Sequence, residues 1–184
     1  MIIGVSGKMN AGKNTVGNLI AEIHHSKPVY LVSFASLLKQ ICALMLGVPL
    51  ETMEDRDFKN TKLDKRFGNK TVRELMQFVG NSFRHGLNDN IWVDSLLDKL
   101  HDDNNTIYVI TDVRFKNEYD AIVKRGGEVI RVIRPDIDTD MDESEVDLDN
   151  FKFPYVVRNN CDLKTLKVKV RKIVRTILDV HNIH

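Results

Sequence analysis

The sequence predicts an α/β domain built on a parallel sheet of five strands with helices on both faces, and three observations carry that prediction. Short apolar runs alternate with amphipathic helical stretches along the chain; the first run ends in a glycine-bounded loop that opens a helix; and a charged, helix-rich excursion separates the second run from the third. A chain of 184 residues is long enough for one domain with a substantial core and too short for two ordinary ones, so a single domain over residues 1–184 is expected.

Met1 to Ser6 is a short apolar run suited to a buried parallel strand. Gly7-Lys8-Met9-Asn10-Ala11-Gly12-Lys13 follows with the G-x-x-x-x-G-K spacing, in which successive backbone N–H groups turn inward toward a polyphosphate. Gly7 and Gly12 permit the backbone angles of that curl, and the backbone of Lys8, Asn10 and Ala11 lines it. Lys13 brings a mobile ammonium to the β and γ phosphates, and the helix that starts near Gly12 adds its positive end. Asn14 stands where Ser or Thr usually offers a hydroxyl to Mg²⁺; the hydroxyl comes one residue later, at Thr15, so these two are the candidate metal contacts. Val16, Leu19, Ile20 and Ile23 then recur at helical spacing. A glycine-rich turn that merely joins a strand to a helix is the bland alternative. It is disfavoured because strand, loop and helix come in the required order.

Pro28 punctuates, and Val29 to Phe34 reads as the second strand. Ser36 is a candidate N-cap for a helix with apolar Leu37, Leu38, Ile41, Leu44 and Met45, stopped by Gly47. Lys39, in its first turn, reads equally as a solvated helix residue and as one facing a ligand at the carboxyl end of a strand. Residues 51 to 70 mix charges of both signs without periodicity and read as a surface excursion. Thr71-Val72-Arg73-Glu74 is a capping box that starts a helix. On that helix Leu75, Met76 and Val79 pack inward, while Arg73, Gln77, Gly80 and Asn81 line another side. Asn90 or Asp89 caps the next helix, where Trp92, Val93, Leu96, Leu97 and Leu100 are candidate core positions; Trp92 reads as core before site.

Thr106 to Thr111 is the third strand and delivers Asp112-Val113-Arg114 at its carboxyl end, before a helix to about Arg125 that Gly126-Gly127 stops. Glu128 to Ile133 is the fourth strand and Pro154 to Val157 the fifth. Leu163, Leu166, Val170, Ile173, Val174, Ile177 and Leu178 mark a final amphipathic helix. Asp136, Asp138, Asp140, Asp142, Ser144 and Asp147 fall on calcium-loop positions, but Met141 occupies the position that wants glycine and Asp147 replaces the bidentate glutamate, so a solvated lid over 134–153 is expected instead.

Charged residues make up 29% of the chain and hydrophobic ones 42%, with a net charge of +1; nothing in that balance calls for a nucleic acid polymer as partner. Cys42 and Cys161 are unclustered, which fits a reducing compartment rather than a disulfide scaffold or zinc site. No run approaches the roughly 20 apolar residues of a membrane span. A cytoplasmic enzyme with small-molecule substrates is expected.

Four motifs together resemble the bacteriophage deoxynucleoside monophosphate kinases over nearly the whole chain. They are the loop ending Gly12-Lys13-Asn14-Thr15; Ser33 to Lys39; Arg73-x-x-x-Gln77-x-x-Gly80 followed by Trp92; and Thr111-Asp112-Val113-Arg114-Phe115-x-Asn117-Glu118 with Arg131 to Pro135 and Ser144-Glu145 beyond. The family usually has aspartate where this chain has Asn14, and Asp142 stands where many relatives carry histidine. The resemblance implies a three-layer P-loop kinase sandwich, an acceptor-binding helical insertion over 34–105 between strands two and three, and the lid. It also implies ATP as donor, Mg²⁺ as cofactor, a deoxynucleoside monophosphate as acceptor, a homodimer, and a host cytoplasm if the source is a phage.

By that resemblance Lys13, Asp112 and Arg114 are catalytic. Lys39, Arg73, Gln77, Gly80, Asn81, Trp92, Asp112, Arg114 and Glu118 hold the acceptor. Arg134 reaches the ATP phosphates, with Arg131 as a weaker candidate, and Asn159, with Asn160, meets the adenine. The attacking phosphate has a second pKa near about 6 and is largely anionic at neutral pH, so no strong general base is needed. Alignment and charge neutralisation carry such a reaction. Two other readings stay open at this point: a kinase of another small phosphorylated acceptor, akin to the animal phosphomevalonate kinases, and a non-catalytic nucleotide-dependent regulator.

Overall fold

Ile2–Ser6 forms strand β1 with all five residues buried, as a strand covered on both faces requires. A computed structural model of the chain describes residues 1–23, 27–101, 105–135, 147–148 and 151–181. The chain divides into two compact units, Met1–Ser33 with Leu100–His184, and Phe34–Lys99.

The first unit holds one sheet. Strands β2 (Val29–Val32), β3 (Ile107–Val113), β4 (Glu128–Ile133) and β5 (Tyr155–Arg158) join β1 in the order β2-β3-β1-β4-β5. Every neighbouring pair is parallel. Ile3 and Val5 of β1 point to one face and share a core with Val109, Ile130 and Val132. That core is closed by Val16, Leu19 and Ile20 of helix α1 (Lys13–Ile23) and by Leu166, Val170, Val174 and Ile177 of the last helix (Leu163–Val180). Each such side chain contributes about 1.5–3 kcal/mol through burial. Gly4 points to the opposite face, where a Cβ would lie 2.8 Å from Ile122 of the helix Lys116–Lys124. Helices therefore cover both faces, and the expected three-layer arrangement with five parallel strands is the one observed. Gly17 lets α1 come close to β3, since a Cβ there would sit 2.6 Å from Thr111 Cγ2.

Four helices, α2 (Ser36–Leu46), α3 (Arg56–Asn60), α4 (Val72–Gly86) and α5 (Ile91–Leu97), form the second unit. Its core is Cys42, Ala43, Met53, Val72, Leu75 and Val79. Burial pushes the Cys42 thiol pKa up to about 11. The capping box at α4 is complete: the Thr71 hydroxyl accepts from the Glu74 N–H at 3.2 Å and the Glu74 carboxylate accepts from the Thr71 N–H at 2.6 Å. The Thr71 N–H and then the Thr71 hydroxyl, both donating to it, hold the Glu74 carboxyl below its ordinary range. Ala35, not Ser36, occupies the N-cap of α2; Asn90 occupies that of α5, as one of the two residues expected there, and its N–H donates to the Asn88 side chain at 2.9 Å.

Residues 51–70 depart from the expected featureless excursion. They fold into the 3-10 turn Leu50–Glu54, the helix α3 and the 3-10 turn Lys65–Phe67. The Asp55 carboxylate accepts from the Phe58 N–H and that of Asp64 from the Arg66 N–H, so α3 and the turn Lys65–Phe67 are capped locally. Met53 is fully buried, and Phe58, Leu63 and Phe67 pack on the same core. Periodicity fails as a signal because each piece is shorter than two helical turns. Of the expected lid, residues 136–146 and 149–150 lie outside the described residues, and with them the calcium-loop positions Asp136 to Ser144. Asp147 is described, and its carboxylate accepts from the Lys116 N–H at 2.6 Å.

The helices of the first unit after β3 are named α6 (Lys116–Lys124) and α7 (Leu163–Val180) from here on. No helix among the described residues is long and apolar enough to cross a membrane.

Candidate functional site

At the carboxyl end of β1 the chain curls through Gly7 to Gly12 and enters α1. Gly7 has φ 152° and Gly12 φ 98°, conformations that a side chain would strain. A Cβ on Gly7 would also meet the Val132 carbonyl at 2.6 Å. Asn10, at φ 65°, takes the left-handed conformation that asparagine tolerates best after glycine. The Ala11 N–H donates to the Lys8 carbonyl at 3.1 Å, and the Val16 N–H to the Gly12 carbonyl at 3.0 Å, the first intrahelical bond of α1. The Lys13 ammonium folds across the loop, donating to the carbonyls of Gly7 and, at 2.9 Å, Lys8. Asn14 and Thr15 occupy the exposed first turn of α1. Loop amides, a helix N-terminus and an ammonium thus converge where an anion is favoured.

Two further strand ends flank this loop in the sheet, because β1 lies between β3 and β4. On β3, Asp112 accepts a hydrogen bond from the Ser33 hydroxyl at 2.7 Å, across the β2–β3 boundary. Glu118 is buried at 3% exposure, and its Oε2 accepts from the N–H groups of Arg114 at 2.7 Å and Phe115 at 3.1 Å. On β4, Arg131 pairs in register with Ser6 and donates to its hydroxyl at 3.0 Å, while its guanidinium lies over the Phe153 ring at 5.4 Å. Arg134 is exposed and its guanidinium lies 3.5 Å from the Asn10 carbonyl. Asn159, just past β5, donates its carboxamide N–H to the Ala11 carbonyl at 2.8 Å. Gly7 to Thr15, Asp112, Arg114, Glu118, Arg134 and Asn159 therefore all belong to the first unit, at or just beyond the carboxyl ends of its strands.

The remaining candidates belong to the second unit. Arg73, Gln77, Gly80 and Asn81 follow one another at i, i+4, i+7 and i+8 on α4, which sets them along one stripe. Arg84, at i+11, continues it; the sequence reading passed over that residue, although the helical period points to it. Trp92 is a core residue at 4% exposure: its indole N–H donates to the Gly80 carbonyl at 3.1 Å and its ring packs against Phe83 with centroids 5.6 Å apart. Trp92 thus takes the core place expected of it first, and supports Gly80 from within. Lys39 forms an ion pair with Glu54 at 2.7 Å. Ser6 is a polar group of the first unit that sequence spacing did not single out, since its partner Arg131 is distant in the chain; Ser33 entered as the start of a motif, without its partner Asp112.

A parallel sheet whose central strand runs through this loop into a helix N-terminus defines an α/β protein of the P-loop kinase type. The family model described as deoxynucleotide monophosphate kinase matches residues 50–170, which begins after the loop and so takes in α4, α5 and Asp112 to Glu118 independently of it. The chain is also 31% identical over 196 residues to a protein of Acanthamoeba polyphaga mimivirus named "Putative deoxynucleotide monophosphate kinase", covering 96% of each. The chain belongs to the deoxynucleotide monophosphate kinase family. Among solved structures it is similar to a gluconokinase from Sinorhizobium meliloti 1021, at 12% identity over 97% of this chain and 94% of that one, with a TM-score of 0.47. It is similar also to a dephospho-CoA kinase from Campylobacter jejuni, at 16% identity over 96% of each chain and a TM-score of 0.46.

Proposed function

We propose that the protein transfers the γ-phosphoryl group of ATP to the 5′-phosphate of a deoxynucleoside monophosphate, giving the deoxynucleoside diphosphate and ADP. The observation that carries this reading is the curl from Gly7 to Gly12 with Lys13 folded across it, in a chain of this family. The Lys13 ammonium exchanges its loop carbonyls for the β and γ phosphates, and the loop amides with the α1 N-terminus hold the same charge. Arg114 leaves the carboxyl end of β3 beside the loop strand and supplies a planar fork for the acceptor phosphate and the migrating phosphoryl group. Asp112, held by the Ser33 hydroxyl, orients groups around the phosphates.

Thr15 and Asn14 offer neutral oxygen donors on the exposed first turn of α1, and among the described residues no group of three or more His, Cys, Asp or Glu forms a metal cage. That set fits Mg²⁺, which keeps several waters and is held chiefly through substrate phosphates. When bound, Mg²⁺ neutralises charge on the β and γ oxygens. The stripe of Arg73, Gln77 and Asn81 on α4 recognises the acceptor, with Arg73 on its phosphate. A homodimer acting in the cytoplasm belongs to the same reading.

An acceptor screen tests it. The protein is incubated with ATP, Mg²⁺ and, in turn, each deoxynucleoside monophosphate, each ribonucleoside monophosphate, a deoxynucleoside and phosphomevalonate. ADP formation is expected with at least one deoxynucleoside monophosphate and not with the deoxynucleoside or phosphomevalonate.

A further inference from the structure

We propose that Asn159 is a positioning residue of the donor site: its carboxamide latches the phosphate-binding loop in its cradling form for any polyphosphate, rather than reading the adenine. This rests on the reading of residues 7–15 as a polyphosphate site.

The latch is anchored at its own end. The Asn159 N–H donates to the Ile133 carbonyl at 2.7 Å, which continues the β4–β5 ladder by one residue beyond Arg158 and fixes the Asn159 backbone on the sheet. From there Nδ2 donates to the Ala11 carbonyl at 2.8 Å. Ala11 is itself 1% exposed, so its carbonyl belongs to a packed part of the loop. The carboxamide also fills the space beside Gly12, where a Cβ would lie 2.5 Å from Nδ2. Gly12 is therefore constrained twice, by its φ of 98° and by the Asn159 side chain.

The consequence for the ligand follows from peptide geometry. A trans peptide is planar, and its C=O and N–H point in opposite directions. All peptide bonds described are trans. A hydrogen bond that draws the Ala11 C=O toward Asn159 therefore turns the Gly12 N–H directly away from it. In a loop whose amides must face one anion, a single peptide that flips would present a carbonyl oxygen where a donor is needed. Asn159 prevents that flip at the Ala11–Gly12 peptide. The two residues are 148 positions apart in the chain, and the sheet order alone brings them together.

The latch and the base-reading role predict different outcomes for a ligand without a base. Binding of ATP and of inorganic tripolyphosphate, each with Mg²⁺, is measured by calorimetry for the parent and for Asn159→Leu, which has nearly the same shape and no donor. Both affinities are expected to fall by the same factor, about tenfold, the size of one hydrogen bond, with the melting temperature within 2 or so degrees of the parent. If Asn159→Leu does not fold, Asn159→Ala gives the same comparison. An ATP affinity that falls while tripolyphosphate affinity stays within about twofold assigns Asn159 to the base and overturns the latch, and so do two unchanged affinities. A parent protein that binds neither ligand refutes the polyphosphate reading of residues 7–15, and the latch with it.

Discussion

The Glu118 carboxylate holds the backbone of Arg114, accepting its N–H at 2.7 Å from a position only 3% exposed. The same oxygen takes the Phe115 N–H, so two donors at the entry to α6 depend on one side chain. The helix begins at Lys116, which puts Glu118 at its third position, where a carboxylate reaches back to the N–H groups before the helix. Glu118→Ala is expected to lower stability by about 1–3 kcal/mol, the cost of leaving such donors unsatisfied. Glu118→Gln keeps an acceptor oxygen and should lose less. Urea denaturation checks both, and a Glu118→Ala protein as stable as the parent contradicts this role.

Arg114 itself is assigned to the migrating phosphoryl group. Lysine lacks the fixed fork that a bidentate phosphate contact needs. Arg114→Lys should therefore lose turnover by on the order of a hundredfold at saturating substrates, with an unchanged melting temperature. Turnover like that of the parent would mean that Arg114 does not act in the transition state.

Trp92 supports Gly80 through its indole N–H. Trp92→Phe retains a ring against Phe83 and removes that donor, so a stability loss of about 0.5–1.5 kcal/mol is expected, with only a small rise in the KM for the acceptor. A large rise in acceptor KM at unchanged stability would instead put the indole on the base.

Asn14 offers a neutral oxygen on the exposed first turn of α1, where an aspartate would carry charge. Asn14→Asp is expected to lower the Mg²⁺ concentration that gives half-maximal activity, measured by titrating Mg²⁺ at fixed ATP. An unchanged or raised requirement would show that the side chain at 14 is not near the metal.

What the sequence made legible is what local pattern encodes. The apolar run Ile2–Ser6, the Gly7 to Lys13 spacing and the Thr71–Glu74 box each lie within a dozen residues, and each has the form expected. Parallel strands followed by helices then restrict the topology enough to predict the sheet. The turns between Leu50 and Phe67 were not legible, because isolated single turns held by Asp55 and Asp64 carry no period to detect. Nor were the long-range polar pairs. Ser33 and Asp112 are 79 positions apart, and Asn159 and Ala11 148, and only the strand order decides that they meet. Trp92 illustrates a third limit: composition favours burial for tryptophan, but only the fold shows which carbonyl its N–H serves.

The central claim is that the loop ending in Lys13 carries the donor phosphates during transfer to a deoxynucleoside monophosphate. Its most direct test is the rate of deoxynucleoside diphosphate formation from ATP and the best acceptor, followed by chromatography, for the parent and for a folded Lys13→Ala protein. The account predicts diphosphate and ADP in equal amounts from the parent and a rate lower by on the order of a hundredfold or more for Lys13→Ala, the effect of losing a preorganised charge. Equal rates for the two proteins, or no diphosphate from the parent with any deoxynucleoside monophosphate, would contradict it.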